Sequence, residues 1–504
     1  MALWYEETSN VVSGDAVTMG SGDELYVAPN VQISSTGGGS GVNSAGMIED
    51  AEIYGSIYGS YGIYTTDGNN NIHVGTGGSV SGASYGMYLN GNHNFVSNNG
   101  DIAGNFGLLF YDSSNVIINS GTITGSYDRA INLTGGDNQV VNSGTISAPD
   151  DSAIAFNTGG SESNANTIDN SGTISSGGGY EAIFTNDLAT TITNSGMIAG
   201  GVHFGNGNDT LSNKGAISGN VRFGSGTNLY DGTLGSVTGT LFAGSGTNTL
   251  YGGAGKETFD LSQGTDTADG GAGNDTFLVG ANLAHVSIDG GSGTDTVVLS
   301  GATKLKFTPT TMVDVEKLQL ATGHNYNLTT NDATVAAGQT LTIDGSALSA
   351  SNVLTFNGAA ETDGHFKIIG GLGADNLTGG ALSDTFTYTT AAQSTSTHYD
   401  TITGFNFAKD IFNIPGGVNP VTGINTKVTT GTLSTASFDA NLTSALSGHL
   451  TAHHAILFTP NAGTLSGDTF LVVDLNGTAG YQTGHDLVIR MNGSSGTLAA
   501  GGFH

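Results

Sequence analysis

The fold of this chain is decided by three consecutive segments, Tyr251-Gly-Gly-Ala-Gly-Lys-Glu-Thr-Phe259, Leu261-Ser-Gln-Gly-Thr-Asp-Thr-Ala268 and Asp269-Gly-Gly-Ala-Gly-Asn-Asp-Thr-Phe277. A fourth segment of the same kind, Asp289-Gly-Gly-Ser-Gly-Thr-Asp-Thr-Val297, follows after a short insertion. Each segment places glycines ahead of an acidic residue or threonine and then an apolar residue. Such a short, glycine-rich unit predicts one tight turn followed by one short strand.

The second glycine position of these segments recurs at a fixed interval. It falls at Gly244, Gly253, Ser262 and Gly271, which are three steps of nine residues, and then at Gly291. This register matches the pattern G-G-x-G-x-D-x-U-x of a parallel β-roll that binds Ca²⁺ between its turns.

The composition favours a repetitive, turn-rich architecture over a set of globular domains. The chain has 504 residues, of which 83 are glycine, and only 11% are charged. A 37% apolar content can fill a narrow core along a solenoid, and it exceeds what a disordered chain would carry. We therefore expect an ordered all-β solenoid.

The charge balance restricts the partners. With 42 acidic and 11 basic residues, the formal net charge is −31, so nucleic acid and anionic membranes would repel the surface and cations would be attracted. No stretch approaches the roughly 18 apolar residues of a membrane helix, so we expect no membrane insertion. The first ten residues lack the basic start and apolar run of a signal peptide, and the absence of cysteine excludes thiolate metal sites.

A degenerate phrase of the type Asn-Ser-Gly-Thr-Ile recurs from about residue 40 to 240, with recognisable copies between residues 98 and 217. The glycine of each copy, together with one related glycine that follows the last copy, lies at Gly100, Gly121, Gly144, Gly172, Gly196, Gly215 and Gly235. Successive glycines are separated by 21, 23, 28, 24, 19 and 20 residues. These are coil lengths of a right-handed parallel β-helix with loops in the longer coils. Asn and Gly suit the sharp corner, Thr-Ile begins a strand, and stacked coils would align the asparagines as an amide ladder. Structural corners are the favoured role of these asparagines, ahead of ligand binding.

Towards the nonapeptides the coils shorten, and one corner acquires the roll pattern. Three corners carry Asp209, Asn228 and Asn248 in the position of the nonapeptide aspartate. We therefore expect the β-helix to run into the roll without a linker. The first thirty residues break the period, and Trp4 and Tyr5 either cap the open end or insert into a neighbouring subunit.

The remainder of the chain changes character after residue 300. Val313–Leu320 and Gln339–Asp344 alternate apolar and polar residues and predict half-buried strands. Two further nonapeptides follow, then a short helix at 438–447 and strands at 469–474 and 486–490. The predicted divisions are an amino-terminal cap or assembly segment at 1–30, the β-helix at 31–242, the β-roll at 243–300, a β-rich connection at 301–361, a second nonapeptide pair at 362–390 and a mainly β carboxy-terminal region at 391–504.

The nonapeptide chemistry predicts calcium. Glycines let the backbone turn with its carbonyls inward, the aspartate adds a carboxylate, and two loops one coil apart form an all-oxygen cage that suits a hard cation. Asn248 is expected beside Asp266, Glu257 beside Asp275, and Asp295 on the same edge as Asp275. The predicted ligands are Gly207, Asp209, Gly246, Asn248, Gly253, Gly255, Glu257, Gly264, Asp266, Gly271, Gly273, Asp275, Gly291, Gly293, Asp295, Gly371, Gly373, Asp375, Gly380 and Asp384. Some cages are expected to be weak, because Asn228 and Asn248 lack charge, Glu257 is longer, and Ser262 and Leu382 replace turn glycines.

These motifs resemble those of the RTX family, secreted bacterial proteins with glycine- and aspartate-rich repeats. Tyr399-Asp-Thr-Ile-Thr-Gly-Phe405 and Thr469-Phe-Leu-Val-Val-Asp-Leu-Asn-Gly-Thr-Ala-Gly-Tyr481 are similar to the carboxy-terminal region of RTX surface proteins. The resemblance covers roughly residues 205–504 and implies export by a type I secretion apparatus through an uncleaved carboxy-terminal signal. The first two hundred residues resemble adhesin-type β-helices in repeat style only.

An enzyme is the less favoured function. Arg129 is the only Lys or Arg before Lys214, which leaves a polysaccharide lyase without its basic groups. A hydrolase using Asp150 with Asp151, or Asp101 with Asp112, stays open, and no His-Glu-x-x-His motif is present.

The leading hypothesis is a non-enzymatic, calcium-dependent structural protein that self-assembles at the bacterial surface as a surface layer, filament or matrix fibre. Its expected partners are copies of itself and, as an open alternative, surface polysaccharide or lipopolysaccharide. The second hypothesis is a calcium-dependent adhesin or glycan-binding protein.

Overall fold

The computed structural model describes residues 2–159, 164–414 and 421–504. The chain divides into two compact units, Met1–Gly271 and Ala272–His504. Among the described residues, the one α-helix is Phe438–Leu446, and strands and turns make up the rest, so the predicted all-β class is confirmed. The units divide inside the stretch 243–300, and the domain boundaries drawn from the sequence stay predictions. No described helix has the length and apolar character needed to cross a membrane.

The first unit is a parallel solenoid whose typical coil has three strands, one on each of three faces. The first face consists of Leu3–Glu6, Asp23–Val27, Ile48–Ile53, Asn71–Val74, Phe95–Asn98, Val116–Asn119, Gln139–Asn142, Asn166–Asn170, Thr190–Asn194, Thr210–Asn213, Thr227–Asp231, Thr247–Tyr251 and Thr265–Asp269. The second consists of Asn10–Val12, Gln32–Ser35, Asp101–Gly104, Thr122–Gly125, Thr145–Ala148, Thr173–Ser176, Met197–Ala199, Ala216–Ile217 and Ser236–Val237.

The third face consists of Val17–Met19, Val42–Ser44, Phe106–Phe110, Ile131–Thr134, Ile154–Asn157, Glu181–Phe184, Gly201–His203, Val221–Arg222, Thr240–Phe242 and Thr258–Asp260. Two long strands, Ser56–Thr65 and Ser79–Leu89, each contribute to both the second and third faces. Along the faces, alternate side chains point inward. Ile117, for example, is fully buried, whereas its neighbour Ile118 is 40% exposed.

The coil lengths predicted from the glycine spacing are confirmed by the strand register. On the second face, in-register partners follow one another at Asp101, Thr122, Thr145, Thr173, Met197, Ala216 and Ser236. These steps are 21, 23, 28, 24, 19 and 20 residues, the same intervals as the phrase glycines. The longest of these steps, from Thr145 to Thr173, spans residues 160–163, which lie outside the described residues. Glycine is required at the corners because a Cβ on Gly144 would overlap the carbonyl oxygen of Gly121 one coil away.

The expected amide ladder is present, and a second one accompanies it. In the phrase ladder, the Nδ2 of each asparagine donates to the Oδ1 of the next at 2.7 or 2.8 Å, through Asn98, Asn119, Asn142, Asn170, Asn194 and Asn213. In the other, at the corner that precedes the first face, each backbone N–H donates to the next Oδ1, through Asn70, Asn94, Asn115, Asn138 and Asn166. These side chains are at most 2% exposed, so the ladders satisfy buried polar groups inside the corners.

The coil tightens near the end of the first unit, as the sequence predicts. Ser236–Val237 is the last strand of the second face, and the following coil of 18 residues runs from Thr247 to Thr265 with two faces. The third-face strand Thr258–Asp260 pairs with Thr240–Phe242, which is also a step of 18 residues. A three-strand coil thus becomes the two-strand coil of a roll within this unit.

The opposite end of the first unit begins with the strand Leu3–Glu6. It pairs in parallel with Asp23–Val27 and is the outermost strand of its sheet among the described residues. Leu3 is 64% exposed, Trp4 36% and Tyr5 57%. The Tyr5 ring stacks on Tyr26 with 4.8 Å between centroids. No described strand covers the outer side of Leu3–Glu6.

The second unit has two main sheets. One is parallel and contains Thr276–Gly280, Thr296–Leu299, Lys317–Leu320, Thr340–Asp344, His365–Ile369, Thr385–Thr387 and Ile411–Asn413. The other contains, in spatial order, Thr303–Lys306, Tyr326–Thr329, Leu354–Asn357, Asn376–Thr378, Asp400–Thr403, Leu487–Asn492, Phe470–Val473, His454–Phe458 and Gly423–Ile424. Smaller parallel pairs join Ala272–Gly273 to Ser292–Gly293 and Val286–Asp289 to Met312–Val313.

The second sheet changes direction at its carboxy-terminal end. Phe470–Val473 is antiparallel to both of its neighbours, and the helix packs over this region. Phe438, Leu442 and Leu446 lie on one side of the helix and are buried against Phe458 and Phe470. The parallel coils of this unit therefore end against a small core of different construction.

One predicted strand differs in the structure. Val313–Leu320 forms two strands, Met312–Val313 and Lys317–Leu320, separated by a corner at Asp314. Asp314 has a φ of 47°, in the left-handed region that short polar side chains tolerate. Val313 and Val315 alternate across this corner, and the consecutive polar residues Glu316 and Lys317, which interrupt the alternation, were the overlooked sign of the break.

Candidate calcium sites

The site begins at the corner that precedes the first face of the first unit. Asn248 and Asp266 are opposite each other in paired strands, and the Asn248 Nδ2 donates to the Asp266 Oδ1 at 2.6 Å. The predicted spacing of eighteen residues along one edge is therefore observed. Asp266 is 2% exposed, and its buried Oδ2 has no hydrogen-bond donor in the part of the chain that the structure describes.

This corner continues the amide ladder of the earlier coils. The Thr190 N–H donates to the Asp209 Oδ1 at 2.8 Å, and the Asp209 N–H donates to the Asn228 Oδ1 at 2.9 Å. The Asn228 Nδ2 then donates to the Asn248 Oδ1 at 2.8 Å. The nonapeptide aspartate consequently occupies the position that asparagine fills elsewhere in the ladder, with one oxygen in place of the amide NH₂.

The opposite edge of the roll carries the predicted glutamate. Glu257 is 3% exposed, and its Oε2 accepts from the Gly253 N–H at 3.1 Å. A Cβ on Gly255 would lie 3.3 Å from the Glu257 Oε1, so the longer side chain folds back into its own glycine turn. Burial raises the pKa of this carboxyl.

In the second unit, three acidic residues form a column across successive coils. The Asp275 N–H donates to the Asp295 Oδ1 at 2.7 Å, and the Asp295 N–H donates to the Glu316 Oε2 at 2.7 Å. Asp295 lies on the same edge as Asp275, as predicted. Asp295 is fully buried, and its Oδ2 has no hydrogen-bond donor among the described residues.

The second nonapeptide pair lies in two further columns of the same unit. In one, the Leu354 N–H donates to the Asp375 Oδ1 at 2.7 Å, and the Asp375 N–H donates to the Asp400 Oδ1 at 2.8 Å. In the other, the Asp384 Oδ1 accepts from Phe366 and the Asp384 N–H donates to Asp410 at 3.1 Å. Each nonapeptide carboxylate thus stacks against an acidic residue of the following coil.

The predicted glycines serve these corners in two ways. Positive φ values, which favour glycine, occur at Gly264, Gly271, Gly273, Gly291, Gly293 and Gly371. Close packing applies to the others, because an added Cβ would approach the neighbouring coil or the acidic side chain at Gly207, Gly246, Gly253, Gly255, Gly373 and Gly380. As calcium ligands, all of these residues stay predictions.

Burial dominates the electrostatics of the columns. It raises the pKa of Asp209 to about 7 and those of Asp266 and Asp384 to about 6, and it also raises the pKa of Asp375. Buried carboxylate oxygens without donors are costly when charged unless a cation compensates them. The donor set of carboxylates, amide oxygens and turn carbonyls fits Ca²⁺, which prefers oxygen ligands.

Several acidic residues of these columns were missed at the level of sequence. Glu316, Asp400 and Asp410 lack the glycine frame of a nonapeptide. Each, however, stands two residues before a buried apolar residue, as in Glu316-Lys-Leu318, Asp400-Thr-Ile402 and Asp410-Ile-Phe412. The signal that could have found them is therefore the second half of the repeat, an acidic residue at the start of a strand.

A second notable surface lies on the third face of the first unit. Tyr61 stacks on Tyr85 with 5.3 Å between ring centroids, and Tyr85 stacks on Phe106 at 5.1 Å. Alongside them, Tyr88 lies 5.2 Å from Tyr64. Tyr111, whose ring is exposed, lies at the end of the row, with 5.3 Å between its ring centroid and that of Tyr88. We call these six residues the aromatic row. The sequence alone did not reveal it, because the rings come from different coils.

The carboxylate pairs considered for hydrolysis have other surroundings. Asp151 lies 3.7 Å from the Arg129 Nε, and its carboxyl interacts with Asp128, whose pKa burial raises. Asp101 is exposed at the start of a strand. The Arg129 contact gives Asp151 a local role in joining two coils.

The family comparison agrees with this geometry. The family model described as the RTX calcium-binding nonapeptide repeat (4 copies) matches residues 235–268, 255–282 and 367–386. No curated protein matches the chain. The matched ranges contain Asp266, Asp275, Asp375 and Asp384, whereas the other acidic residues of the columns, Asp295, Glu316, Asp400 and Asp410, lie outside them. The prediction of Ca²⁺ as the bound ion is confirmed, and this protein is a parallel β-solenoid that carries RTX calcium-binding nonapeptide repeats.

Proposed function

We propose that the protein is a non-enzymatic, calcium-dependent extracellular structural protein that assembles with copies of itself at the bacterial surface. The observation that carries the proposal is the set of columns in which buried carboxylates stack from coil to coil. At low calcium, mutual repulsion and the burial of charge oppose folding of these coils. At the millimolar calcium typical outside cells, the ion stabilises them.

This dependence on calcium suits export of an unfolded chain. The RTX repeats support a type I secretion apparatus as the route, since that family typically uses it. A chain that folds only after meeting calcium outside the cell can pass a narrow channel. The acidic loops would then act as a folding switch, and no catalytic role is assigned to them.

The open edge of the strand Leu3–Glu6 supports self-assembly. No strand among the described residues pairs with the outer side of this strand, so that side can accept a further strand, and association would remove exposed apolar surface of Leu3, Trp4 and Tyr5 from water. With a net charge of −31, copies repel one another unless cations screen or bridge them. Assembly is therefore expected to require both the edge and a divalent ion.

Electron microscopy of the purified chain tests this function. Ordered layers or filaments are expected with 5 mM Ca²⁺ and not with chelator. A Trp4→Thr/Tyr5→Thr variant should reduce assembly, whereas the control Tyr127→Thr, which removes a 76% exposed ring away from the edge, should assemble normally. Monomers that persist in calcium at high protein concentration would contradict the proposal.

The aromatic row favours a second candidate function, a calcium-dependent adhesin or glycan-binding protein. Half-buried rings that stack from coil to coil form a continuous aromatic strip, with the exposed ring of Tyr111 at its end, and aromatic side chains commonly line ligand sites. The acidic surface favours a neutral glycan, while an anionic polysaccharide or lipopolysaccharide would need bridging calcium. Glycan-array binding that is lost in Tyr85→Ser but retained in Tyr127→Ser would support this alternative.

A further inference from the structure

Three carboxylates outside the matched repeats converge in the second unit. One ligand oxygen from each of Asp332, Glu361 and Asp363 lies within 4.8 Å of the other two. Asp332 begins a short 3₁₀ turn after the strand Tyr326–Thr329. Glu361 and Asp363 lie in the loop after Leu354–Asn357, the strand that pairs in register with Tyr326–Thr329. The cluster therefore joins equivalent loops of two successive coils.

Glu361 is the fixed part of this cluster. It is fully buried, and its Oε1 accepts from the backbone N–H groups of Thr362, Asp363 and Gly364 at 3.1, 3.3 and 2.9 Å. Its Oε2 is buried and has no hydrogen-bond donor among the described residues. A carboxylate oriented by three donors on one oxygen thus presents the other oxygen to a ligand.

Asp332 and Asp363 close the cluster from the solvent side. Both are exposed, and the Asp332 Oδ1 accepts from the Thr362 N–H at 2.9 Å and from its hydroxyl at 2.7 Å. Within the described parts of the chain, none of the three carboxylates pairs with Lys, Arg or His. Three acidic groups this close repel one another unless a cation lies between them.

We propose that Asp332, Glu361 and Asp363 bind a divalent cation, with Ca²⁺ as the preferred ion. All three ligands are carboxylate oxygens, and the two exposed members leave room for water to complete a coordination shell of 6–8 oxygens. The ion links two loops that carry no G-G-x-G-x-D pattern, and all three residues lie outside the ranges matched by the repeat family. This site does not depend on whether the protein assembles.

Counting bound ions tests the proposal. Native mass spectrometry and equilibrium dialysis with Ca²⁺ would compare the full chain with an Asp332→Asn/Asp363→Asn variant. Asparagine at 332 can still accept from Thr362, and both positions are exposed, so the fold should persist. The variant should bind one ion fewer than the wild type, and its melting temperature should fall in calcium but not in chelator.

A matched control is available in the first unit. Asp101→Asn/Asp169→Asn makes the same change in net charge at two exposed strand positions and should leave the ion count unchanged. Glu361→Gln keeps the Oε1 acceptor and should also lose one ion. An unchanged count in a folded Asp332→Asn/Asp363→Asn variant would overturn the proposal. Weak binding by the nonapeptides would lower the ion count of the wild type itself. The proposed site is measured separately, by the difference in ion count between the wild type and the variant.

Discussion

Asp209→Asn should stabilise the chain in the absence of calcium, and calcium should reduce or remove that advantage. Without the ion, the wild-type carboxylate is 1% exposed and one of its oxygens has no hydrogen-bond donor among the described residues, while burial raises its pKa to about 7 from an ordinary 3.8. Asparagine would keep the acceptor for the Thr190 N–H and remove the charge. It is also the residue found at the next two positions of the same column, Asn228 and Asn248.

The magnitude follows from the pKa difference. At about 1.4 kcal/mol per pKa unit, a difference of roughly three units corresponds to about 4 kcal/mol as an upper bound, which water penetration would reduce. The direction of the pH dependence follows because folding raises the pKa of Asp209. The contribution of Asp209 to the stability of the wild type is lost as pH rises from about 4 to about 7. The advantage of Asp209→Asn should therefore grow over that range and then level off.

Calcium should narrow this difference, and the order reverses where calcium binding outweighs the charge penalty that remains after water penetration. If the site has a Kd of about 10⁻⁴–10⁻³ M, 10 mM Ca²⁺ stabilises the wild type by about 1.4–2.7 kcal/mol, and the asparagine variant forfeits much of this. Thermal melts at pH 8 in chelator and in 10 mM Ca²⁺, repeated at pH 4, would measure both effects. If Asp209→Asn destabilised the chain in chelator at pH 8, the argument from buried charge would be refuted.

Three further outcomes are expected. Asn142→Ala removes the buried donor to the Asn170 Oδ1 and should cost about 1–3 kcal/mol, measured as reduced hydrogen-exchange protection in the adjoining coils; unchanged protection would contradict a ladder that stabilises the corners. Gly144→Ala should lower the melting temperature strongly through overlap with Gly121, while Gly14→Ala, with no atom within 4 Å of the new Cβ, should have little effect; equal effects would contradict the packing argument. The increase in melting temperature caused by calcium should be larger at pH 8 than at pH 5, because protonation of carboxyls with pKa values of about 6 to 7 competes with the ion; a larger increase at pH 5 would contradict it.

The repeats made much of the fold predictable. The glycine intervals from Gly100 to Gly235 specified the coil lengths, because glycine is needed wherever one corner packs closely on the next. The eighteen-residue step from Asn248 to Asp266 likewise specified which corners stack. Periodic contacts of this kind repeat the same local constraint, so a single sequence displays them many times.

The parts that could not be predicted depend on side chains from different coils without a common motif. The ladder through Asn70 and Asn94 has no fixed phrase around it, and the aromatic row arises from strands of unequal length. The corner at Asp314 was missed because Val313 and Val315 alternate across it, although Glu316 and Lys317 interrupt the pattern directly afterwards. Glu361 could not be recognised because its environment is created by the loop around it.

The sharing of one corner position by asparagine and aspartate has a consequence for how such proteins can diversify. If the proposed function holds, a coil with asparagine there folds on its own amide hydrogen bonds, whereas a coil with aspartate needs an ion. The two side chains differ by NH₂ against O, so a single substitution transfers a coil from one class to the other without rebuilding the backbone. The calcium concentration at which the whole chain becomes rigid is then an adjustable property, and exchanging Asn228 or Asn248 for aspartate offers a direct way to engineer that threshold.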